Sequence, residues 1–341
     1  KRFRDLDIDE SIEKMKYENH IVRLKIPSKG FISISDTIRG SIEFDLSLIQ
    51  DQIILKSDGF PTYHLASVID DHLMNITHVI RGEEWVASLP KHALLYQAFE
   101  WEMPTFVHLP LLLNKDKSKL SKRQGDVAVE DYKLKGFVKN ALINYVALLG
   151  WHGSDNKEIY NFDELIDSFS INRIKSSGAI FDVKKLIWFN QQYIKNSDSE
   201  DLLNIINQMV PTEWNLKIEM IDLLKDSVET LNDFKDQLNS FFVYSPIKIS
   251  SDNHLFSDAI YDFFNLLKEV LSKQDDINAN IFKELINNIK TEHAISGNIW
   301  KPIRIALTGA EHGPDISSYA SILGSKTCVN RIQLFLDLNV D

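Results

Sequence analysis

Cysteine is almost absent from this chain, since Cys328 is the only one among 341 residues. A single thiol cannot form a disulfide within the chain, and it cannot supply the several thiolates of a cysteine-rich zinc site. Long apolar runs are also missing, so the sequence predicts no transmembrane helix, and its first residues lack the apolar core of a secretory signal. These absences predict a cytoplasmic protein, because thiols stay reduced in that compartment.

Positive charge is in deficit as well, with 38 lysines and arginines against 49 aspartates and glutamates and a formal net charge of -11. This balance argues against broad, nonspecific binding to nucleic acid, although local basic patches are still able to hold a specific nucleic-acid partner. The apolar share of 44% and the charged share of 26% are ordinary for a globular protein. No Gly-rich phosphate loop and no internal repeat are present in the sequence.

The strongest local departure from this acidic background is the run Lys119-Leu120-Ser121-Lys122-Arg123, which follows the apolar stretch Val107 to Leu113. A cluster of cations in an acidic chain indicates an anionic ligand, and α/β folds place ligand loops beyond the carboxyl ends of strands. Lysines on a mobile loop can close on the negative charge that builds up on pyrophosphate when ATP transfers its nucleotidyl group. For the pentapeptide alone, a solvated basic turn is the competing interpretation.

Apolar spacing predicts that the chain before this run is an α/β structure. Tyr63 to Leu73 has the spacing of a helix with Thr62 as its N-cap, and Ser88-Leu89-Pro90 opens a second helix. Thr77 to Ile80 and Phe106 to Leu113 are β-branched or apolar runs that are typical of buried strands. The order helix, strand, helix, strand indicates part of a parallel sheet.

Three short segments nearer the start predict further strands. His20 to Ile26 and Phe31 to Ser35 alternate apolar and polar residues, Lys29-Gly30 is able to turn between them, and Ile53 to Leu55 is a third apolar run. After the basic run the spacing becomes helical and stays so. Four apolar stripes lie at Val138 to Leu149, Ile218 to Leu231, Leu255 to Val270 and Ile281 to Ile289.

Three polar side chains are candidates for binding a small ligand. Tyr63 and Ser67 lie one helical turn apart and present two hydroxyls on one face, although packing is the ordinary role of a tyrosine at a helix start. Arg81 ends a predicted strand, where a guanidinium can hold a carboxylate with two parallel hydrogen bonds. An ion pair with Glu83 or Glu84 explains Arg81 equally well.

No metal site is predicted from the histidines and carboxylates. Asp70, Asp71 and His72 are consecutive on a predicted helix, so their side chains point in different directions and do not converge on one ion. His78 lies on the following strand and adds no ligand at a usual spacing.

Taken in order, four segments resemble the bacterial glutamyl-tRNA synthetases. They are Asp58-Gly59-Phe60-Pro61-Thr62-Tyr63-His64-Leu65-Ala66, His78-Val79-Ile80-Arg81-Gly82-Glu83-Glu84-Trp85, Leu109-Pro110-Leu111-Leu112 and Lys119-Leu120-Ser121-Lys122-Arg123. The last resembles the KMSKS signature of class I synthetases, with Leu in place of Met and Arg in place of the last Ser. Similarity at 136–150 and at 307–331 extends the resemblance over nearly the whole chain.

The resemblance implies the C-terminal half of a class I Rossmann-type α/β catalytic domain, followed by all-α stem-contact and anticodon-binding domains. The implied boundaries are 1–57 for part of an acceptor-end-binding insertion, 58–113 for the second half of the catalytic domain, 114–196 for the KMSKS loop and stem-contact fold, and 197–341 for a helical anticodon-binding region. The family uses ATP and Mg²⁺ to activate L-glutamate and then esterifies it to tRNA-Glu, and a monomer is expected here.

By the same resemblance, Tyr63, Ser67 and Arg81 bind glutamate, with Arg81 holding its side-chain carboxylate. The family often has Asn at the position of Ser67. Lys122 contacts ATP with support from Lys119, and Leu112 lies near the adenine. The catalytic residues are then Lys119, Ser121 and Lys122, and the candidate tRNA contacts are Arg39, Arg304 and Arg331, with a helix cap as the alternative role of Arg331. This chemistry depends on positioning and electrostatics, so no nucleophilic side chain is required.

The HIGH-type motif with which class I synthetases grip ATP does not occur in this sequence. The resemblance therefore implies that residues 1–341 contain one of the two parts of the ATP site, and we expect these residues alone not to activate glutamate at a useful rate.

Four alternatives to a glutamate-specific ligase follow from the sequence. A glutaminyl-tRNA synthetase would carry an anticodon domain built of strands, whereas residues 200–341 have helical spacing. A glutamyl-queuosine tRNA synthetase would lack this region altogether. A non-discriminating enzyme that also charges tRNA-Gln stays open, as does a tRNA-binding remnant without catalysis.

Overall fold

The structure, a computed structural model, describes residues 3–120, 128–248, 258–295 and 297–339. It divides into a first unit of Lys1–Gln124 with Val146–Asp182 and a second unit of Gly125–Tyr145 with Val183–Asp341. The chain therefore passes from one unit to the other three times, and each unit is built from two separate stretches of sequence.

Eight strands are present in the described residues. They are β1 (Val22–Leu24), β2 (Phe31–Asp36), β3 (Gly40–Asp45), β4 (Gln52–Leu55), β5 (His78–Gly82), β6 (Thr105–Leu109), β7 (Leu112–Leu113) and β8 (Ala179–Ile180).

The helices of the same ranges follow in chain order. They are α1 (Ile8–Met15), α2 (Tyr63–Leu73), α3 (Leu89–Ala98), α4 (Val129–Leu134), α5 (Lys139–Leu148), α6 (Phe162–Ser168), α7 (Val183–Asn196), α8 (Ser199–Asn207), α9 (Ile218–Leu224), α10 (Leu231–Phe242), α11 (Asp258–Ser272), α12 (Ala279–Glu292), α13 (Trp300–Thr308), α14 (Ile316–Leu323) and α15 (Ser325–Asn339).

The central sheet of the first unit has the strand order β3-β2-β6-β5. Strands β2 and β3 form an antiparallel hairpin, whereas β6 runs parallel to both β2 and β5. The parallel pairing predicted from the helix-strand order is thereby confirmed. Because the register places Arg81 directly opposite His108, these two side chains lie on the same face of neighbouring strands.

The turn expected at Lys29-Gly30 does not join two paired strands, since β1 pairs with β4 and β2 belongs to the central sheet. The chain between them is held by Asp51, whose Oδ1 atom accepts a hydrogen bond from the Ile26 amide at 3.0 Å. This bond draws the end of β1 towards β4 and away from β2.

The core of the first unit lies against the central sheet. Strand β2 alternates exposed and buried residues, with Ile32 and Ile34 inside, as its sequence predicts. Strand β6 is instead buried at three consecutive residues from Phe106 to His108, which is typical of a parallel strand covered on both faces. Leu89 and Leu95 of α3 pack into this core.

The single strand predicted from Phe106 to Leu113 is divided into β6 and β7. Pro110 has no amide hydrogen for a ladder bond, and the amide of Leu111 donates to the Glu83 carboxylate at 3.1 Å instead of to a neighbouring strand. Beyond this break, β7 pairs in parallel with β8.

The described residues of the second unit form helices and no strands, as the helical spacing predicts. In the first unit, however, the short strand β8 interrupts the helices that follow the basic run. The stripes from Val138, Leu255 and Ile281 correspond to α5, α11 and α12, although Leu255 itself lies outside the described residues. The interpretation of the stripe from Ile218 to Leu231 as one helix is wrong, because α9 ends at Leu224.

A new helix, α10, begins after this break because Asp233 caps it. The Asp233 carboxylate accepts hydrogen bonds from the amides of Glu229 and Thr230 at 2.8 and 2.7 Å, so the backbone leaves the α9 axis before Leu231. Among the described residues, no helix is long and apolar enough to cross a membrane.

The segment 128–145 is held in the second unit by backbone and amide contacts. The Leu231 amide donates to the Gly136 carbonyl at 2.9 Å. The buried Asn190 side chain accepts from the Val138 amide at 2.8 Å and donates to the Glu229 carbonyl at 2.6 Å. These bonds fasten the start of α5 to α7 and to the loop before α10.

Candidate functional site

The start of α2 is fixed to strand β4, and this sets the position of Tyr63. Thr62 is the N-cap residue, as predicted, but its hydroxyl makes no cap hydrogen bond. The Thr62 hydroxyl instead donates to the Ile53 carbonyl at 2.8 Å, and the Thr62 amide donates to the Ile54 carbonyl at 2.8 Å. Tyr63 and Ser67 then follow one turn apart on a helix that is anchored at its first turn.

Arg81 lies at the carboxyl end of β5, where the sequence predicted it. Its Nε atom donates to Nε2 of His108 at 3.0 Å, and its guanidinium lies 5.9 Å from the Trp85 ring centre. The Tyr63 side chain interacts with the same guanidinium. The Nη2 atom is buried and has no hydrogen-bond partner. One nitrogen of this fork is thus held by the protein and another is available to a ligand.

The two acidic residues that follow Arg81 are bound to other cations. Glu83 pairs with Arg39 through one oxygen and accepts the Leu111 amide through the other. Glu84 pairs with Lys119 at 3.1 Å. Neither carboxylate pairs with Arg81, so the ion pair with Glu83 or Glu84 that the sequence allowed does not form.

Behind Arg81, Asp36 and His108 form a fully buried pair. The His108 Nδ1 atom lies 2.7 Å from Oδ2 of Asp36, and neither side chain is exposed to solvent. Burial lowers the pKa of His108, outweighing the Asp36 hydrogen bond that raises it. The His108 bond and the amides of Ile38 and Arg39 lower the pKa of Asp36 against the opposing effect of burial, so the pair is a neutral imidazole beside a carboxylate.

Ser67 is linked to Arg81 through the carboxyl group of Asp71, which interacts with both. Burial raises the pKa of Asp71, while the nearby charge of Arg81 and a hydrogen bond from Ser67 lower it. Burial likewise lowers the pKa of Arg81, and Tyr63, Asp71 and Asp36 oppose that effect. The structure therefore brings Tyr63, Ser67 and Arg81 together around one partly buried cation.

Two further histidines line the base of this cluster. The His64 Nδ1 atom lies 3.0 Å from Nε2 of His92, and the Tyr63 and Trp85 rings lie 4.8 Å apart beside them. Burial, with the nearby charge of Arg81, lowers the pKa of His92 to about 3. His92 is therefore neutral at physiological pH and adds no positive charge to the site.

The buried His92 predicts a loss of stability in mild acid. Below a pH of about 6.5, His92 is protonated in the unfolded chain but stays neutral in the folded chain. We therefore expect the free energy of unfolding to fall by about 1.4 kcal/mol per pH unit, until His92 is also protonated in the folded chain at a pKa of about 3. Urea titrations between pH 7.5 and 5 measure this slope. His92→Gln should flatten it, and the same substitution at exposed His78 should not; equal slopes in all three proteins would contradict the prediction.

The approach to the basic run is a tight turn. The Asn114 amide donates to the Ser118 carbonyl at 2.8 Å and the Leu120 amide to the Leu112 carbonyl at 2.9 Å, so the chain folds back along β7. Leu112 is 37% exposed and therefore open to a ligand. Ser121 and Lys122, predicted as catalytic and ATP-binding residues, lie outside the described residues.

The three arginines predicted to contact tRNA occupy different environments. Arg39 is partly buried in its pair with Glu83, and Arg304 donates to the Pro314 carbonyl. Arg331 is only 4% exposed and donates to three backbone carbonyls and the Tyr319 hydroxyl. We therefore interpret Arg331 as a core residue of the second unit rather than as a surface contact.

Sequence reasoning missed Asp36, His92 and His108 and considered Asp71 only as a metal ligand, although all four lie near Arg81. The available signal was an aspartate at the end of the alternating segment of β2 and a lone histidine in the apolar run of β6. Within the described ranges, no three His, Cys, Asp or Glu side chains gather closely enough to hold a metal ion.

Two family models match this chain. The model for tRNA synthetases class I (E and Q), catalytic domain, matches residues 3–188, and an anticodon binding domain matches residues 183–336. Together with the parallel sheet, the arginine at its carboxyl edge and the helical second unit, these matches define a class I synthetase. The chain belongs to the family of class I tRNA synthetases of the glutamate and glutamine type.

Two relatives of this chain are glutamate–tRNA ligases. That of Clostridioides difficile is 42% identical over 92% of this chain, and that of Chloroherpeton thalassium is 41% identical over 93%. The chain spans 66% and 67% of their lengths. The crystal structure of a glutamate tRNA ligase from Elizabethkingia meningosepticum, in complex with its amino acid, has a TM-score of 0.88 at 32% identity and covers 97% of this chain and 71% of its own.

Proposed function

We propose that this chain takes part in the ATP-dependent attachment of L-glutamate to tRNA-Glu. The observation that carries the proposal is the partly buried Arg81 guanidinium, whose buried Nη2 atom has no hydrogen-bond partner while Glu83 and Glu84 are bound to other cations. A partly buried cation with an unsatisfied buried N–H group and no directly paired carboxylate favours an anionic ligand, because leaving that group unpaired costs free energy. The carboxylate of a glutamate side chain supplies that charge.

Arg81 explains a preference for glutamate over glutamine. A guanidinium binds a carboxylate by two charge-assisted hydrogen bonds, whereas an amide offers one acceptor oxygen and presents N–H donors to a group that only donates. Tyr63 and Ser67 then supply hydroxyls on the α2 side of the pocket. The Trp85 ring lies 5.9 Å from the guanidinium, within the range of a cation–π contact, and so helps to hold it in place.

ATP, entering with Mg²⁺, is proposed to bind on the side of the basic run. Lys119, the first residue of this run, pairs with Glu84, which is three residues beyond Arg81 in the sequence. The start of the run is therefore held beside the proposed amino-acid pocket. Lys122 is proposed to stabilise the charge that develops on the departing pyrophosphate. Leu112, exposed on β7, offers an apolar contact for the adenine.

The tRNA is proposed to contact both units. Arg39 and Arg304 are only partly buried and offer guanidinium groups for phosphate. The helical second unit matches an anticodon binding domain, in agreement with the expectation for a glutamyl rather than a glutaminyl enzyme.

Aminoacylation of purified tRNA-Glu and tRNA-Gln with labelled glutamate and glutamine tests the proposal. The polypeptide should be prepared as its gene encodes it, and we expect charging of tRNA-Glu with glutamate and none with glutamine. Charging of tRNA-Gln with glutamate would identify a non-discriminating enzyme. Tight binding of tRNA-Glu in a gel-shift assay without any charging would overturn the proposal in favour of a noncatalytic role.

Lys122→Ala is expected to slow glutamate activation far more than it weakens tRNA binding. An ammonium group that acts on the developing charge of pyrophosphate contributes to the transition state, and losing it should cost about 100-fold in kcat or more. ATP–pyrophosphate exchange with tRNA present measures activation, and a gel-shift assay measures affinity. Lys133→Ala, on exposed α4, is the matched control. A loss confined to tRNA affinity would contradict the assignment.

A further inference from the structure

The buried pair behind Arg81 has no role in the function proposed so far. Asp36 and His108 are both inaccessible to solvent, and placing a carboxylate and an imidazole there costs free energy that an apolar pair would not. The pair also ends at a defined point, the Nε atom of Arg81. A polar chain that leads from the core to a ligand-binding guanidinium indicates a role in positioning that group.

The protonation state of His108 follows from its neighbours. The Arg81 Nε atom always carries hydrogen, so Nε2 of His108 must accept, and the imidazole proton resides on Nδ1. That proton is donated to Oδ2 of Asp36 at 2.7 Å. If the His108 ring were doubly protonated, its Nε2–H group would point at the Nε–H group of Arg81, and no hydrogen bond could form. The geometry therefore requires a neutral imidazole.

Asp36 is held by four hydrogen bonds and cannot turn towards Arg81. Its Oδ1 atom accepts from the amides of Ile38 and Arg39 at 3.0 and 2.9 Å. Its Oδ2 atom accepts from the amide and the Nδ1 atom of His108 at 3.1 and 2.7 Å. The carboxylate therefore stays one imidazole ring away from the guanidinium.

We propose that His108 is a positioning residue for carboxylate recognition and that its neutral ring separates Asp36 from Arg81. The ring fixes the guanidinium through Nε and leaves its positive charge without a carboxylate in direct contact. The charge then stays available to the substrate, and selectivity against the uncharged amide follows. This inference rests on the proposed role of Arg81 in holding the glutamate side chain.

Nitrogen-15 NMR of the 341-residue chain tests the hydrogen-bond arrangement without any enzymatic assay. Between pH 6 and 8, we expect His108 to be protonated on Nδ1 only, with a through-bond coupling between Arg81 Nε and His108 Nε2. A ring protonated on Nε2, or on both nitrogens, would overturn the inference. Because no substrate is needed, this result is independent of the proposed function.

Three variants test the functional consequence in the polypeptide as its gene encodes it. His108→Leu removes the acceptor, and we expect the KM for glutamate to rise at least 30-fold with the KM for ATP and the tRNA affinity within twofold of wild type. His108→Gln restores an acceptor oxygen and should recover most of that loss. His108→Glu places a carboxylate on Arg81 and should reduce the glutamate-to-glutamine ratio of kcat/KM at least tenfold.

The outcomes separate this inference from the proposed function. An unchanged KM for glutamate in both His108→Leu and His108→Glu would overturn the positioning role, even if Arg81 binds glutamate. Equal losses in glutamate, ATP and tRNA binding that His108→Gln does not rescue would show a structural role alone and overturn it too. If His108→Leu fails to fold, the inference is tested by the NMR result and by the glutamate-to-glutamine ratios of kcat/KM in His108→Gln and His108→Glu.

Discussion

Replacing Arg81 by methionine is expected to raise the KM for glutamate by roughly 30-fold to several thousand-fold, the cost of removing one partner of a buried, hydrogen-bonded charge pair. Methionine keeps the length and apolar volume that pack beside Trp85 and Phe106. What it loses is the charge and the fork of N–H donors. Steady-state aminoacylation with varied glutamate measures the effect, and circular dichroism checks the fold.

Two further variants separate charge from geometry at this position. Arg81→Lys retains a positive charge without the planar fork, so we expect a smaller loss than with methionine. Arg23→Met removes an exposed arginine from β1 and should leave the KM for glutamate within twofold of wild type. A change of less than threefold in Arg81→Met would sink the proposed role of this residue.

Replacing Arg331 by methionine is expected to reduce the free energy of unfolding of the second unit by about 4 kcal/mol, because buried acceptors left without a partner cost roughly 1–3 kcal/mol each. Arg331 donates to the carbonyls of Ser240 and Phe241 near the end of α10 and to that of Leu307 near the end of α13. These carbonyls have no partners within their own helices, and the guanidinium also compensates the negative ends of both helices.

Urea unfolding followed by tryptophan fluorescence, with amide hydrogen exchange to localise the loss, measures the Arg331→Met effect. Lys326→Met on the exposed side of the same helix, α15, is the matched control and should change stability by less than about 0.5 kcal/mol. Arg331→Lys should lie between the two, because an ammonium group reaches fewer of the carbonyls. Equal stability of Arg331→Met and the control would contradict this account.

The sequence predicts the site only as far as local signals reach. Arg81 could be found because it ends a β-branched run and is followed by Gly82, and the start of α2 could be found from Thr62. The roles of Tyr63, Ser67 and Lys119 stay predictions, and within the basic run the Lys122→Ala variant tests the assignment of Lys122.

His108 and Asp36 could not be assigned from sequence, because their role depends on strand register. Shifting β6 by one residue against β5 would place Val107 or Leu109 opposite Arg81 and turn His108 to the other face of the sheet. No local pattern reports that register. The division of the long stripe into α9 and α10 had a local signal in Thr230 and Asp233, but apolar spacing alone concealed it.

The threefold passage of the chain between the two units has a consequence for synthesis on the ribosome. The first unit includes Val146–Asp182, so its last contacts cannot form until residue 182 has left the exit tunnel. Gly136 and Val138 of the second unit emerge earlier but bind Leu231 and Asn190, which are made later. The bonds of Val138 to Asn190 and of Gly136 to Leu231 can therefore form only after the whole of the first unit has been translated.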